Sequence, residues 1–261
     1  VLENLIFPYE GQATCATATS HPLSDDAAQV LFTDPPYYDA VPYADLSNFF
    51  YIWLKRTVSA HHPTLFQKLL TPNSEQAIVW HQNSVEEKKE FERKMGTALT
   101  EGRRVLSPNG IGIIVFAHKS TSGWEAMLQA MIDAGWIFSG SWPIDTEMGS
   151  RMNAMGTASL ASSIHLVCRP REDPRGEIRT NDVGDWRLVL SELPQRIHAW
   201  LPGLAAEGVI GADAIFSCLG PALEIYSRYS RVEKVNGEVV TLKEYLEEVW
   251  AAVSREALST I

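Results

Sequence analysis

Four consecutive residues, Asp34-Pro35-Pro36-Tyr37, combine a carboxylate, a stiff backbone and an aromatic ring directly after an apolar run. The carboxylate can accept a hydrogen bond from an amine, and the prolines lack N–H donors, so a bare carbonyl can face a ligand. The tyrosine ring offers a surface on which a flat base can stack. These residue types meet the needs of an enzyme that acts on the amino group of a flipped-out nucleobase.

The residues just beyond this motif are further candidates for contact with a base. Tyr38, Tyr43 and Asp45 follow closely and could line a base pocket. For Tyr38 and Tyr43 the alternative, packing into the core, remains equally open. Lys119 follows a second apolar run together with His118, which makes it a candidate for holding a DNA phosphate or a cofactor. Simple exposure of a strand end would also explain a polar pair at that position.

The elements that position these residues follow from the pattern of apolar side chains. The run 28–33 predicts a short buried strand that ends at the motif. Ser84 with Glu87 three residues later predicts a helix start, and 107–110 predicts a turn after that helix. The run 111–117 is nearly all apolar, which is typical of a strand covered on both faces. The other predicted elements are an aromatic-rich helix over 43–55, a helix over 123–134, strands over 136–142 and 162–168, helices near 184–200, 211–229 and 241–258, a helix cap at Thr241 and a tight turn at Asn236-Gly237.

Strands that alternate with helices predict a layered α/β fold with a mostly parallel sheet. The last two strands have no helix between them, so we expect them to pair antiparallel at one edge. In open sheets of this kind, ligands bind outside the carboxyl ends of the strands, where the motif falls. We expect three units, namely an α/β region over 1–171, a polar linker over 172–183 and a helical extension over 184–261.

The composition indicates an ordinary globular chain of 261 residues with 45% hydrophobic and 21% charged residues. No apolar run is long enough to span a bilayer, and the three widely spaced cysteines form no C-x-x-C pair. We therefore expect a cytoplasmic protein with no metal site. The formal charge of −10 argues against general affinity for nucleic acid but allows a local basic face. Candidates for such a face, or for a solvated surface, are Arg169, Arg171, Arg175, Arg179, Arg228, Arg231 and Lys234.

The motif resembles the D-P-P-Y signature of amino-group DNA methyltransferases, which use S-adenosylmethionine to methylate N6 of adenine or N4 of cytosine. The longer stretch "TDPPYYDAVPYADLSNFFYIWLKR" is similar to a narrower family, the large adenine-specific DNA methylases described as containing a zinc ribbon. "LGPALEIYSRYSRV", residues 219–232, resembles a stretch near the C-terminus of that family. The resemblance covers most of the chain and implies a Rossmann-like methyltransferase sheet.

The resemblance also implies a role for each residue of the motif. Asp34 and the Pro35 carbonyl would accept hydrogen bonds from the target amine and aim its lone pair at the methyl group. Pro36 would shape the turn, and Tyr37 would stack on the base. The rate would then come from placing the reactants in line and stabilising charge on the amine. No cysteine follows a proline, so the nucleophile of C5-cytosine methyltransferases is absent.

One expected part of such an enzyme is missing from the sequence. A methyltransferase of this fold needs a glycine-rich turn of the type Phe-x-Gly-x-Gly for its cofactor, and none is found. We therefore expect this chain to be the C-terminal part of a longer protein, an incomplete methyltransferase sheet. Asp34 would border the cofactor, and the remaining cofactor-binding residues would lie upstream of Val1. The zinc-binding cysteines of the family are also absent, and the isolated chain could be inactive.

Three functions are compatible with these features of the sequence. The leading one is adenine-directed DNA methylation, with a role in restriction or phage defence by analogy only. Its expected partners are DNA, the missing N-terminal part and other subunits of a defence system, with no membrane. A second is methylation of RNA or of N4 of cytosine. A third is a non-catalytic, methyltransferase-like domain that binds nucleic acid or a partner subunit.

Overall fold

The computed structural model describes most of the chain and shows a mixed α/β fold, which confirms the predicted class. The described residues are 11–14, 16–38, 41–79, 84–118, 120–144, 163–209 and 211–259.

A four-stranded sheet forms the centre of the fold. Its strands are β1 (Ala28–Thr33), β2 (Leu106–Phe116), β3 (Trp136–Ile144) and β4 (Ser163–Pro170). The order across the sheet is β1-β2-β4-β3, with β1 and β2 parallel and β4 antiparallel to both of its neighbours. The predicted antiparallel pairing of the last two strands is confirmed. The expectation of a mostly parallel sheet is wrong, because β4 lies between β2 and β3 and runs antiparallel to both. As a result β4 begins at the same edge of the sheet where β1 and β2 end.

Seven helices and a small second sheet complete the described structure. The helices are α1 (Tyr43–Val58), α2 (Val85–Val105), α3 (Thr121–Asp133), α4 (Trp186–Ala206), α5 (Gly211–Ser217), α6 (Leu219–Ser227) and α7 (Leu242–Ser259). Strands β5 (Val183–Asp185) and β6 (Arg231–Glu233) pair in parallel. Between α1 and α2 the chain makes two short 3-10 turns, Pro63–Phe66 and Asn73–Glu75.

Helix α2 begins as the sequence predicts, because the Ser84 side chain accepts a hydrogen bond from the Glu87 backbone N–H at 3.2 Å. This cap satisfies one of the N–H groups that a helix start leaves without an internal partner. The apolar face of α2 is buried against the sheet, with Phe91, Met95 and Leu99 almost inaccessible.

The prediction that a turn over 107–110 separates the helix from the next strand is wrong. Helix α2 ends at Val105 and β2 starts at Leu106, opposite Ala28. The pairing then jumps to Ile111 opposite Val30, so residues 107–110 belong to the strand as an irregular bulge. Turn-forming residues allow such a bulge, while pairing with β1 on both sides keeps the strand continuous.

Helix α3 and strand β3 agree closely with expectation. Ser120 caps α3 by accepting from the Gly123 N–H at 3.3 Å. Gly135 has φ +85° directly after the helix, a conformation that glycine adopts without a Cβ penalty. The fully buried inward side chains of α3 are Trp124, Met127, Leu128 and Met131.

The expectation that residues 28–33 form a buried strand is wrong for one face of β1. Leu31 lies against Gly102 of α2, so that face is covered. On the other face Val30 is 58% and Phe32 60% exposed, because β1 is an edge strand and no described helix lies over it. The apolar stripe of α1 is exposed too, and its members are Leu46, Phe49, Phe50, Trp53 and Leu54.

The C-terminal helices pack against β3. Helix α6, which lies in the stretch singled out by the sequence, approaches so closely that the Gly220 N–H donates to the Ser141 hydroxyl at 3.0 Å. Ser227 at the other end of α6 accepts from the Phe138 N–H at 3.0 Å. One cluster of buried apolar residues runs from α2 and the sheet into α6 and α7. The predicted linker over 172–183, between an α/β region and a helical extension, remains a prediction. At its first residue, the Glu172 side chain is buried and ion-paired with Arg103.

Two local signals in the C-terminal region are confirmed. Thr241 caps helix α7, because its hydroxyl accepts a hydrogen bond from the Glu244 N–H at 3.2 Å. The predicted tight turn at Asn236-Gly237 is present, with Gly237 at φ +80° and the Lys234 N–H donating to the Glu238 carbonyl at 2.8 Å. Within the described ranges, no helix has the length and apolar character that crossing a bilayer requires.

Candidate active site

The Asp34-Pro35-Pro36-Tyr37 motif lies at the carboxyl edge of the main sheet, as the sequence predicts. Strand β1 ends at Thr33, and the next residue, Asp34, is exposed to solvent. The two prolines and Tyr37 are half-buried, so the backbone turns away from the strand with little freedom. The carboxylate is therefore accessible at a position where open α/β sheets hold their ligands.

Tyr37 is the residue that connects Asp34 to the neighbouring strands. Its hydroxyl makes hydrogen bonds with the side chains of Asp34 and Ser163. Its ring meets the ring of Phe116, at the end of β2, edge to face with centroids 5.5 Å apart. Burial, the hydrogen bond to Asp34 and the negative charge of that carboxylate together raise the pKa of the Tyr37 phenol well above its usual range.

Tyr43 and Asp45 lie in the first turn of α1, next to the motif. Tyr43 is 46% exposed. Burial and then the negative charge of Asp34 raise the pKa of its phenol. Asp45 is exposed in the same helical turn. The structure therefore joins Asp34 and Tyr37 by a hydrogen bond and places Tyr43 and Asp45 in the first turn of the helix that follows.

Tyr38 points into the protein, as the packing alternative expects. It is 3% exposed, and its ring packs edge to face against Phe91 and His118 with centroids 5.0 and 5.5 Å away. Its φ of +60° is unusual for a residue with a side chain, and its carbonyl accepts from the Val79 N–H at 3.0 Å. The reversal at Tyr38 lets successive tyrosines face different environments, Tyr37 towards the sheet edge and Tyr38 towards the core.

His118 is buried and not exposed at the strand end. Its Nδ1 accepts a hydrogen bond from the Ser120 backbone N–H at 3.1 Å, and its carbonyl accepts from the Trp124 indole at 2.8 Å. It therefore helps to hold the start of α3 beneath Tyr38. Lys119, the candidate for a phosphate or cofactor contact, lies outside the described residues.

The basic clusters that the sequence offered for a nucleic-acid face are largely engaged within the protein. Arg171 is buried and donates to the Tyr229 carbonyl at 2.9 Å. Arg228 pairs with Glu192 at 2.9 Å, and Lys234 pairs with Glu244 at 2.8 Å. These contacts favour the interpretation of both clusters as structural surface.

Two residues of the site carry no signal that sequence reasoning could have used. Ser163 reaches Tyr37 only because β4 runs antiparallel and starts at the carboxyl edge. Gln76 lies in an irregular segment, yet its side-chain oxygen accepts from the Ala44 N–H at 3.1 Å and so fixes the start of α1. Among the described residues no group of three potential ligands is placed to hold a metal ion.

We expect the Tyr37 phenol to stay protonated at about pH 11, roughly one unit above the ordinary tyrosine pKa of about 10. The raised pKa predicts this, since ionising Tyr37 would place a second negative charge beside Asp34. The measurement is a pH titration by NMR with tyrosine labelled at the ζ-carbon, where Tyr37→Phe identifies the signal. In Asp34→Asn the same signal should titrate at lower pH, and an unchanged titration would contradict the contact.

No protein-family model matches the chain, and no curated protein matches it. Among solved structures it is similar to three of a protein from Thermus thermophilus described as a DNA modification methylase, one of them complexed with S-adenosyl-L-methionine. The identity is 12–13%, the TM-score 0.33–0.35, and the match covers 89–92% of this chain and 90–93% of the other. Scores this low do not establish a shared fold, so the assignment of function rests on the site itself.

Proposed function

We propose that this chain forms the target-base part of an S-adenosylmethionine-dependent DNA methyltransferase that acts on an exocyclic amino group, with N6 of adenine as the first candidate. The observation that carries the proposal is the placement of Asp34. An exposed carboxylate, followed by two prolines, lies at the carboxyl end of a parallel strand and is hydrogen-bonded to the phenol of Tyr37. The resemblance to the D-P-P-Y signature implies that this carboxylate accepts a hydrogen bond from the target amine.

The residues of the chain fit the task of accepting and orienting an amine. A carboxylate has room for about four hydrogen bonds, so Asp34 can accept from the target amine while Tyr37 occupies another position. The Pro35 carbonyl would accept the second N–H of the amine. With both N–H groups held, the nitrogen lone pair is turned out of the base plane, towards the methyl donor. Positive charge that grows on the nitrogen is then stabilised by Asp34.

The part of the site that would hold a base is partly lined in the described structure. Tyr43 is exposed enough to stack on a flat ring, and Tyr37 is half-buried beside the ring of Phe116. We propose Tyr37 as the stacking residue and Tyr43 and Asp45 as its neighbours at the rim. Tyr38 would support the site from below. Lys119 remains a proposed phosphate contact.

S-adenosylmethionine is proposed as the methyl donor from the resemblance, and the chain fits it only in part. Asp34 could border the cofactor, but the sequence contains no glycine-rich Phe-x-Gly-x-Gly turn whose backbone would cradle it. The cofactor would supply an electrophilic methyl group. The same proposal includes a cytoplasmic location, a role in restriction or phage defence, and specificity for adenine.

The test is transfer of a labelled methyl group from S-adenosylmethionine to DNA, followed by digestion and mass spectrometry of the nucleosides. The assay uses this chain and, in parallel, the chain together with any sequence that its gene encodes before Val1. Appearance of N6-methyladenine would support the proposal, and N4-methylcytosine would correct the base. Labelled RNA without labelled DNA would favour the RNA alternative. DNA binding with no transfer in either form would favour the non-catalytic domain.

A further inference from the structure

The reversal of β4 brings an additional hydroxyl to the carboxyl edge of the sheet. In the antiparallel register Phe116 lies opposite Ile164, so Ser163 lies one residue further towards the edge than the end of β2. Ser163 is 3% exposed and pairs on its other side with Ile144, the last residue of β3. Its backbone is thus held by β3, and its side chain is hydrogen-bonded to the Tyr37 hydroxyl.

The hydrogen bonds at this edge form a chain with a defined direction. A carboxylate has no proton to donate, so in its hydrogen bond with Asp34 the Tyr37 phenol is the donor. With its only proton directed to Asp34, the Tyr37 oxygen can only accept from Ser163, so the serine hydroxyl donates. The order is therefore Ser163 to Tyr37 to Asp34. A phenol whose oxygen accepts from one side can direct its only proton to the other.

We propose that Ser163 is a positioning residue that orients the Asp34 carboxylate through the Tyr37 hydroxyl. This inference rests on the proposed function, in which Asp34 accepts from the target amine. With Tyr37 bound to one lone pair, the carboxylate loses its freedom to rotate, and its other oxygen is presented to the ligand. The rigid core beneath, where Phe116 holds the Tyr37 ring, keeps the phenol in place.

A double-mutant cycle tests whether Ser163 acts through Tyr37. Ser163→Ala should lower kcat for methyl transfer about tenfold with KM changed less than about twofold, since one hydrogen bond and the orientation of the acceptor are lost. Ser163→Thr keeps the hydroxyl and should restore most of the rate. In a Tyr37→Phe background Ser163→Ala should have no further effect, because the connection to Asp34 is already broken.

A second measurement is independent of activity. At neutral pH the ζ-carbon NMR signal of Tyr37 should shift in Ser163→Ala. It should not shift in the control Ser139→Ala, whose hydroxyl lies on β3 and donates to the Val167 carbonyl. Thermal unfolding of each variant separates a change in the site from a loss of fold.

The outcomes distinguish the two proposals. An unshifted Tyr37 signal in Ser163→Ala overturns the hydrogen-bond chain whatever the activity. The Tyr37 signal could shift in Ser163→Ala while the two rate losses multiply in the variant that combines Ser163→Ala with Tyr37→Phe. This result overturns the action of Ser163 through Tyr37 and leaves the methyltransferase assignment intact. Complete absence of methyl transfer in both unaltered forms, the chain alone and the chain with any upstream sequence, removes the proposed function and with it the positioning role. A shifted signal would still support the chain of hydrogen bonds.

Discussion

Asp34→Ala is expected to abolish methyl transfer while DNA binding survives. The substitution removes the exposed carboxylate of the D-P-P-Y motif, which we propose as acceptor for the target amine and as stabiliser of its developing charge. Loss of one such group from a preorganised site costs about a hundredfold to a thousandfold in kcat. Affinity for DNA should change by less than about threefold, since phosphate contacts dominate binding.

The control for this experiment is Asp133→Asn, which alters an exposed carboxylate at the last residue of α3, at the opposite edge of the sheet. Its methyl transfer should match that of the unaltered protein. Asp34→Asn adds a finer comparison, because the amide retains an acceptor oxygen but lacks the charge. Methylation that continues at the full rate in Asp34→Ala would rule out the role given to this residue, whatever its position in the fold.

Gly220→Ala is expected to destabilise the fold more than any other single-methyl change considered. A Cβ at Gly220 would overlap the carbonyl carbon of Gly140 and fall 2.5 Å from the Ser141 nitrogen. Because both are backbone atoms of β3, neither can rotate away, and α6 would have to move off the strand. We expect a loss of about 3 kcal/mol or more in the free energy of unfolding, which is roughly 6–12 °C in Tm.

Gly96→Ala is the matched control, since it makes the same chemical change inside a helix with open space around it. A Cβ at Gly96 of α2 would meet no atom within 4 Å. Alanine is favoured over glycine in a helix by about 0.8–1 kcal/mol, so this variant should be more stable than the unaltered protein. Thermal or urea unfolding measures the stability of both variants. Equal stability of the two would show that α6 does not approach β3 so closely.

The sequence predicted the parts of the fold that depend on local pattern. The cap at Ser84, the helix end at Gly135 and the inward face of α3 follow from side-chain spacing and from the chemistry of helix ends, and the structure confirms them. The position of the motif at a strand end follows in the same way. Each of these signals lies within a few residues of the feature that it determines.

The errors and omissions concern features that depend on strand order. Whether Val30 and Phe32 are buried depends on what covers β1, and an apolar run looks the same in either case. The turn residues 107–110 became a bulge because β1 pairs with the strand on both sides of them. Ser163 entered the site only through the reversal of β4, which brings together residues far apart in the sequence.

The open face of β1 and the exposed stripe of α1 also bear on how the chain behaves at high concentration. Val30 and Phe32 present apolar side chains beside a strand edge that no other described strand occupies. Such an edge is a template for strand addition, and an uncovered apolar face favours association. Self-association through the uncovered face and edge of β1 would therefore compete with any folded partner that binds there. Added surfactant, or a subunit that covers β1, should shift the equilibrium from associated to single chains.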